Sequence, residues 1–158
     1  MSNLAPAQPT VRSFCTFRTE DRLYGIDVTE VREVSTQVAL TPVPQAPPIV
    51  RGLVNLRSRI YLVLDVRPAL SLAPLECTNA SRLIVLHPRV AESLGLFVEC
   101  GGDIVRVSSD QIEQVSLPAA DNPALPATPV VGVCKLNTEL MMIIAPAKLV
   151  GMLEQEIG

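Results

Sequence analysis

Short apolar runs, each closed by a turn signal, recur along this chain at a spacing of roughly 8 to 12 residues, the pattern of an all-β barrel or sandwich. The clearest case is the stretch RGLVNLRSRIYLVLDVR. There Ile60, Leu62 and Leu64 alternate with Tyr61, Val63 and Asp65, and Arg57, Ser58 and Arg59 break the run as a turn. The same reading predicts strands over residues 13–18, 23–26, 50–56, 60–65, 82–87, 94–100, 104–107, 130–136 and 139–144, about ten in all with the weaker runs included. Strand 94–100 is apolar with few charges, so it is expected at a barrel edge, where it would offer an apolar contact to a partner.

Helix is scarce in this pattern. Asp27 followed by Glu30 has the spacing of a capping box and predicts two helical turns through Val31 and Val34. Pro68 suits the first position of a short helix ending near Leu72. A longer one follows Pro146, burying Leu149, Val150 and Leu153 and turning Glu154 and Glu156 to water, and is expected to cover an open sheet end. Residues 1–12 read as a flexible tail. The proline-rich segments 41–48 and 117–129 read as crossings that bracket a middle block, as two small barrels, one inserted within the other, would require.

Composition sharpens this picture. The 158 residues suffice for one domain, burying roughly 70% of the unfolded chain's surface. Hydrophobic residues make up 48%, aromatics only 3% and charged residues 18%, so aliphatic packing carries the fold and some apolar surface is expected to meet partners. A net charge of -3 without a basic stripe argues against nucleic acid. No apolar run is long enough to span a membrane, and the opening residues do not form a signal peptide, so no membrane insertion and a cytoplasmic location are expected.

The candidate chemistry is thin. Cys15, Cys77, Cys100 and Cys134 have no CxxC spacing and no neighbouring histidine, so they read as reduced structural thiols and not as a zinc or redox site. His87 is the only histidine, which leaves no pair for acid-base work. Gly101-Gly102 lacks the lysine and following helix of a phosphate cradle and reads locally as a hairpin turn or bulge. No catalytic residues, metal or cofactor are expected. Arg57 on its own reads as an exposed turn residue paired weakly with Asp65.

Several separated strings agree with one family. FCTFRTEDRLYGIDVTEVREV resembles the opening of the chemotaxis coupling protein CheW, in which an F-x-x-F strand leads to Y-G-I-D and to V-x-E on a short helix. TPVPQAPPIVRGLVNLRSRIYLVLDVR resembles that family's proline-rich crossing and its G-x-x-N-L-R-G-x-I-x-P-V-x-D-L-R signature, with Gly52, Asn55, Leu56, Arg57, Val63, Asp65 and Arg67 in register. LGLFVEC and VVGVCKLNTELMMIIAPAKLV resemble its G-L-V-V-D strand and its closing hairpin and helix. Three positions depart: Ser58 stands for a glycine, Leu62 for a proline and Glu99 for an aspartate, and Ser58 is expected to reshape the turn after Arg57.

The resemblance implies a CheW-like domain over residues 13–152, with 153–158 as the end of the helix or tail, built as two five-stranded SH3-like barrels with a groove between them. It implies that the glycine pair lies within one bent strand. The implied function is non-catalytic: an adaptor joining the cytoplasmic tips of chemoreceptors to a CheA-type histidine kinase through the kinase's own CheW-like domain. The alternative is a scaffold of the same fold in a twitching-motility or developmental chemosensory pathway. Carried over, the interaction residues are Val31, Glu33, Gly52, Asn55 and Arg57.

Overall fold

The computed structural model describes residues 8–115 and 128–157. Residues 1–7 of the expected tail and most of the proline-rich segment 117–129 lie outside it. Among the described residues eleven strands form two mixed sheets. β1 (Val11–Thr19), β2 (Arg22–Asp27), β8 (Gly101–Ser108), β9 (Ile112–Gln114), β10 (Val130–Lys135) and β11 (Leu140–Ile144) make a six-stranded sheet in the order β8-β1-β2-β11-β10-β9. β3 (Val31–Ser35), β4 (Val50–Leu56), β5 (Arg59–Asp65), β6 (Arg82–Leu86) and β7 (Leu94–Val98) make a five-stranded sheet in the order β3-β6-β7-β5-β4. The chain therefore begins in one sheet, builds the whole of the other and returns. This is the all-β pair of SH3-like units expected, with the three-residue β9 as a sixth strand in one of them.

Alternation along the strands sends successive side chains into different cores. In β6, Leu83 and Val85 enter a cluster inside the five-stranded unit with Val54, Leu56, Tyr61, Val63 and Phe97. Ile84 and Leu86 point the other way, into a larger cluster shared with Cys15, Phe17, Tyr24 and Ile26 of the six-stranded sheet. Phe14, Leu23, Val107, Cys134, Met141 and Ile143 fill the six-stranded unit itself. The helix α2 (Pro146–Ile157) seals the shared cluster with Leu149 and Leu153.

Four local expectations are corrected. The segment after Asp27 is not a two-turn helix: a single 3-10 turn, Val28–Glu30, leads directly into β3. Asp27 does cap it, accepting from the Thr29 amide and hydroxyl. The β-branched Val31 and Val34 then pair with β6, and that pairing outweighs a weak helical signal. Helix α1 (Val66–Ala69) starts two residues before Pro68, because Asp65 caps it by accepting from the Arg67 amide; proline still sits in the first turn, where its missing N–H is no loss.

Strand β7 is no edge. It lies between β6 and β5 with all five residues buried, since an apolar strand with few charges is what a central position needs. Gly101-Gly102 does not close a hairpin either. β7 and β8 belong to different sheets, and the chain bends at Glu99 and Cys100 as it passes between them. Gly101, at φ 148°, presses against β1: a Cβ there would lie 2.6 Å from Thr16 O and from Phe17 Cα.

Candidate functional site

The site is built on the two outermost strands of the five-stranded sheet. β4 and β5 form a hairpin closed by two residues, Arg57 and Ser58, with Leu56 opposite Arg59. Both have positive φ (53° and 65°), as a tight turn matched to strand twist requires. This stiff tip carries the Arg57 guanidinium, 76% exposed, across to Glu33 on β3, to whose carboxylate Arg57 Nη1 donates. Two candidate residues from strings 24 apart in sequence thus meet in one ion pair. That pair spans the open side of the barrel, between the first and last strands of the sheet.

The other candidates support this rim differently. Val31 is half-buried against the shared core, one side of a β-bulge that sets Val31 opposite Leu86 and Glu33 opposite Val85. Asn55 is exposed on β4, opposite the exposed Ile60. Gly52 is buried. At φ 150° it lies beneath the proline-rich crossing, and a Cβ there would stand 2.5 Å from Thr41 O. Thr41 and Leu53 exchange two backbone hydrogen bonds of 2.8 Å at that point, so glycine is what lets the crossing cover the edge of β4.

Arg57 does not pair with Asp65. That carboxylate is buried, capping α1 and accepting from Arg51 Nη1 at 3.0 Å, while Arg51 stacks over the Phe97 ring at 4.2 Å. The turn residue reaches sideways to β3 because the hairpin projects beyond Asp65, which sits at the far end of β5.

Sequence reasoning also missed a second cluster. Arg67, almost fully buried, donates from Nη1 to Glu99 at 2.7 Å and from Nε to the Ala73 carbonyl at 2.5 Å, with Glu20 of the β1–β2 turn 3.6 Å from Nη2. Burial opposes its charge, but Glu99, Glu20 and Asp65 hold the guanidinium's pKa above its ordinary value. The D-L-R-like string marked Arg67, yet nothing local revealed its partners: Glu99, 32 residues on in the bend between β7 and β8, and Glu20 in the β1–β2 turn.

This geometry presents a surface. Among the described residues no group of three metal-ligating side chains gathers, and no helix is long and apolar enough to cross a membrane. Two SH3-like units pack on a shared apolar core, and a charged rim is held out on a rigid hairpin.

The comparisons give the family. The CheW-like domain model matches residues 13–154, and the chain belongs to that family. It is 32% identical over 97 residues to the chemotaxis protein CheW of Bacillus subtilis, covering 61% of this chain and 62% of that protein. It is 30% identical over 110 residues to chemotaxis protein CheW of Rhizobium meliloti, covering 70% of each. The fold superposes on the crystal structure of the scaffolding protein TtCheW from Thermoanaerobacter tengcongensis with a TM-score of 0.72 at 24% identity, over 86% of this chain and 90% of that one.

Proposed function

We propose that this protein is a non-catalytic adaptor of the chemotaxis type, joining a receptor's cytoplasmic tip to a CheA-type histidine kinase from the cytoplasmic side of a receptor array. Membership of the CheW-like family supports the role. The observation that carries the site is the Glu33–Arg57 pair, which joins the two family-like strings on an exposed rim. The two-residue turn leaves the backbone under Arg57 little freedom to lose on binding, and the planar fork of arginine engages a carboxylate or backbone carbonyls in a geometry lysine does not reproduce.

The test is receptor-dependent kinase activity in a reconstituted array, read beside thermal unfolding. Exposed ion pairs contribute about 0.2 to 1 kcal/mol, so Arg57→Glu is expected to stay folded. It replaces a charge-assisted bond to the partner by repulsion, and the loss of roughly 1.5 to 3 kcal/mol weakens coupling about tenfold to a hundredfold. The swap Glu33→Arg with Arg57→Glu restores the internal pair but not the coupling. A folded Arg57→Glu protein with full activity makes Arg57 a structural residue and sinks this site. Labelled ATP should leave no phosphate on the purified chain; autophosphorylation that survives removal of contaminating kinase would overturn the adaptor reading. The kinase and receptor recovered with the protein from cytoplasm identify the pathway it serves.

A further inference from the structure

The two units are joined by apolar packing and by two short crossings of the chain. The first is the 3-10 turn Val28–Glu30, after which β3 opens the five-stranded sheet; the second is the bend at Glu99 and Cys100, through which the chain returns to β8. Backbone hydrogen bonds hold both. The His87 amide donates to Glu30 O at 2.9 Å at the first crossing, and the Arg18 amide donates to Cys100 O at 3.1 Å at the second. The core between the units is mostly aliphatic, and apolar attraction has no preferred direction.

Ionic contacts do have a direction, and they are distributed unevenly. Among the described residues Arg12–Asp27, Arg18–Glu139 and Lys135–Glu113 lie within the six-stranded unit, and Arg51–Asp65 and Arg57–Glu33 within the five-stranded one. Only the pairs of Arg67 reach beyond their own unit. Its guanidinium, carried on α1 directly after β5, donates to Glu99 in the second crossing and stands 3.6 Å from Glu20 in the two-residue β1–β2 turn. On its own side the arginine cannot swing. Asp65 accepts from its amide, and its Nε donates to the Ala73 carbonyl. The fork is therefore aimed by the five-stranded unit at carboxylates of the crossing and of the other unit, and water, which reaches little of it, does not loosen that aim.

We propose that Arg67 is a positioning residue: with Glu20 and Glu99 it forms a latch that fixes the angle between the two units, and with it the placement of the Glu33–Arg57 rim relative to the six-stranded unit. The apolar core keeps the units together whether the latch is closed or open. The latch selects one orientation among those the core and the two crossings allow, because small sliding of packed surfaces is the motion such a joint permits. An adaptor holds two partners at an angle set by its own body, so a loose joint weakens coupling although the rim itself is intact. The effect on coupling rests on the adaptor reading; the latch rests on the fold alone.

Residual dipolar couplings of backbone amides in the purified full chain test the latch, fitted separately for β1, β2, β10 and β11 and for β4 to β7. In the native chain one alignment tensor should fit both sets. Glu20→Lys sets a cation beside Arg67, and because Glu20 is 55% exposed the variant stays folded, as circular dichroism and thermal melts check. Each set should then still fit its own unit, but with two tensors that differ in orientation or order. Asp21→Lys makes the same charge change one residue on, at an exposed position in no ion pair among the described residues, and should keep the common tensor. In the reconstituted array Glu20→Lys should weaken receptor-dependent kinase activity about twofold to thirtyfold, and Asp21→Lys should not. A common tensor in Glu20→Lys overturns the latch, and so does an equal change in Asp21→Lys. A reoriented Glu20→Lys protein that couples as well as the native chain overturns the positioning role. A native chain that does not couple at all removes the adaptor reading instead, and the dipolar couplings then decide the latch alone.

Discussion

Arg57 and Ser58 both occupy the left-handed region of backbone space, which L-residues other than glycine, asparagine and aspartate rarely enter. Serine at φ 65° keeps a two-residue turn that glycine would adopt without strain. Ser58→Gly is therefore expected to stabilise the protein by about 1 kcal/mol, visible as a higher denaturation midpoint with an unchanged slope. A lower midpoint would show that the hydroxyl, or the lost chain stiffness, matters more than the strain. Leu62, another departure from the family pattern, has a plain physical counterpart: its amide donates to Ser93 O at 2.9 Å where β5 begins to run beside β7, a bond proline cannot make. Glu99, the third, is long enough to reach the buried Arg67 from the bend between β7 and β8. Replacing it by glutamine leaves that guanidinium without its nearest counter-charge. Because Glu99 is itself a quarter exposed, Glu99→Gln should cost about 2 kcal/mol, somewhat less than breaking a fully buried pair, in chemical denaturation.

At the scale of elements, the 3-10 turn between β2 and β3 holds two carboxylates shifted in opposite directions. Asp27 is driven up by partial burial, but the Thr29 amide and the Arg12 guanidinium outweigh this and hold it below its usual range. Glu30 is raised by burial and by the neighbouring Asp27 charge, with Arg89 and Arg12 only partly compensating. The two have opposite linkage. A depressed carboxylate contributes stability above its unfolded pKa of about 4 and loses it as pH falls through the lower folded value. A raised one disfavours folding once pH climbs from about 4.3 through its higher folded value. Glu30→Gln should therefore raise the melting temperature at pH 7, with the gain vanishing below about pH 4, where the glutamate is protonated in both states. Equal gain at both pH values would assign the effect to packing. The turn lies immediately before Val31 and Glu33, so it also fixes how β3 enters the rim.

At the scale of the whole molecule, the two units are joined by an apolar core to which both sheets and α2 contribute. Neither sheet can keep its own face of that core dry alone, so the protein should unfold in one step, with calorimetric and van't Hoff enthalpies in agreement. Leu149 on α2 is fully buried in the shared core. Leu149→Ala should cost about 2 to 5 kcal/mol and lower the melting of both units together, as read by amide exchange in β1 and in β6. Separate loss of one unit would mean that the junction is a docking surface and not a common core.

The strands were legible from sequence because side-chain alternation and turn residues are local, and β4 over 50–56 needed nothing more. The family strings also marked the candidate residues, since Arg57 stands in an unbroken register. Tertiary structure decided the rest. β3 is a strand because it pairs with β6, and its weak capping signal could not report a partner some 50 residues away. β7 is central because strand order is set by crossovers, which periodicity does not encode. Gly52 and Gly101 are glycines because distant backbone presses on them at Thr41 and Thr16. The Arg57–Glu33 and Arg67–Glu99 pairs both arise from segments brought together only by closing the two sheets: local chemistry is written in neighbouring residues, whereas charge partners and edges belong to the arrangement of the whole chain.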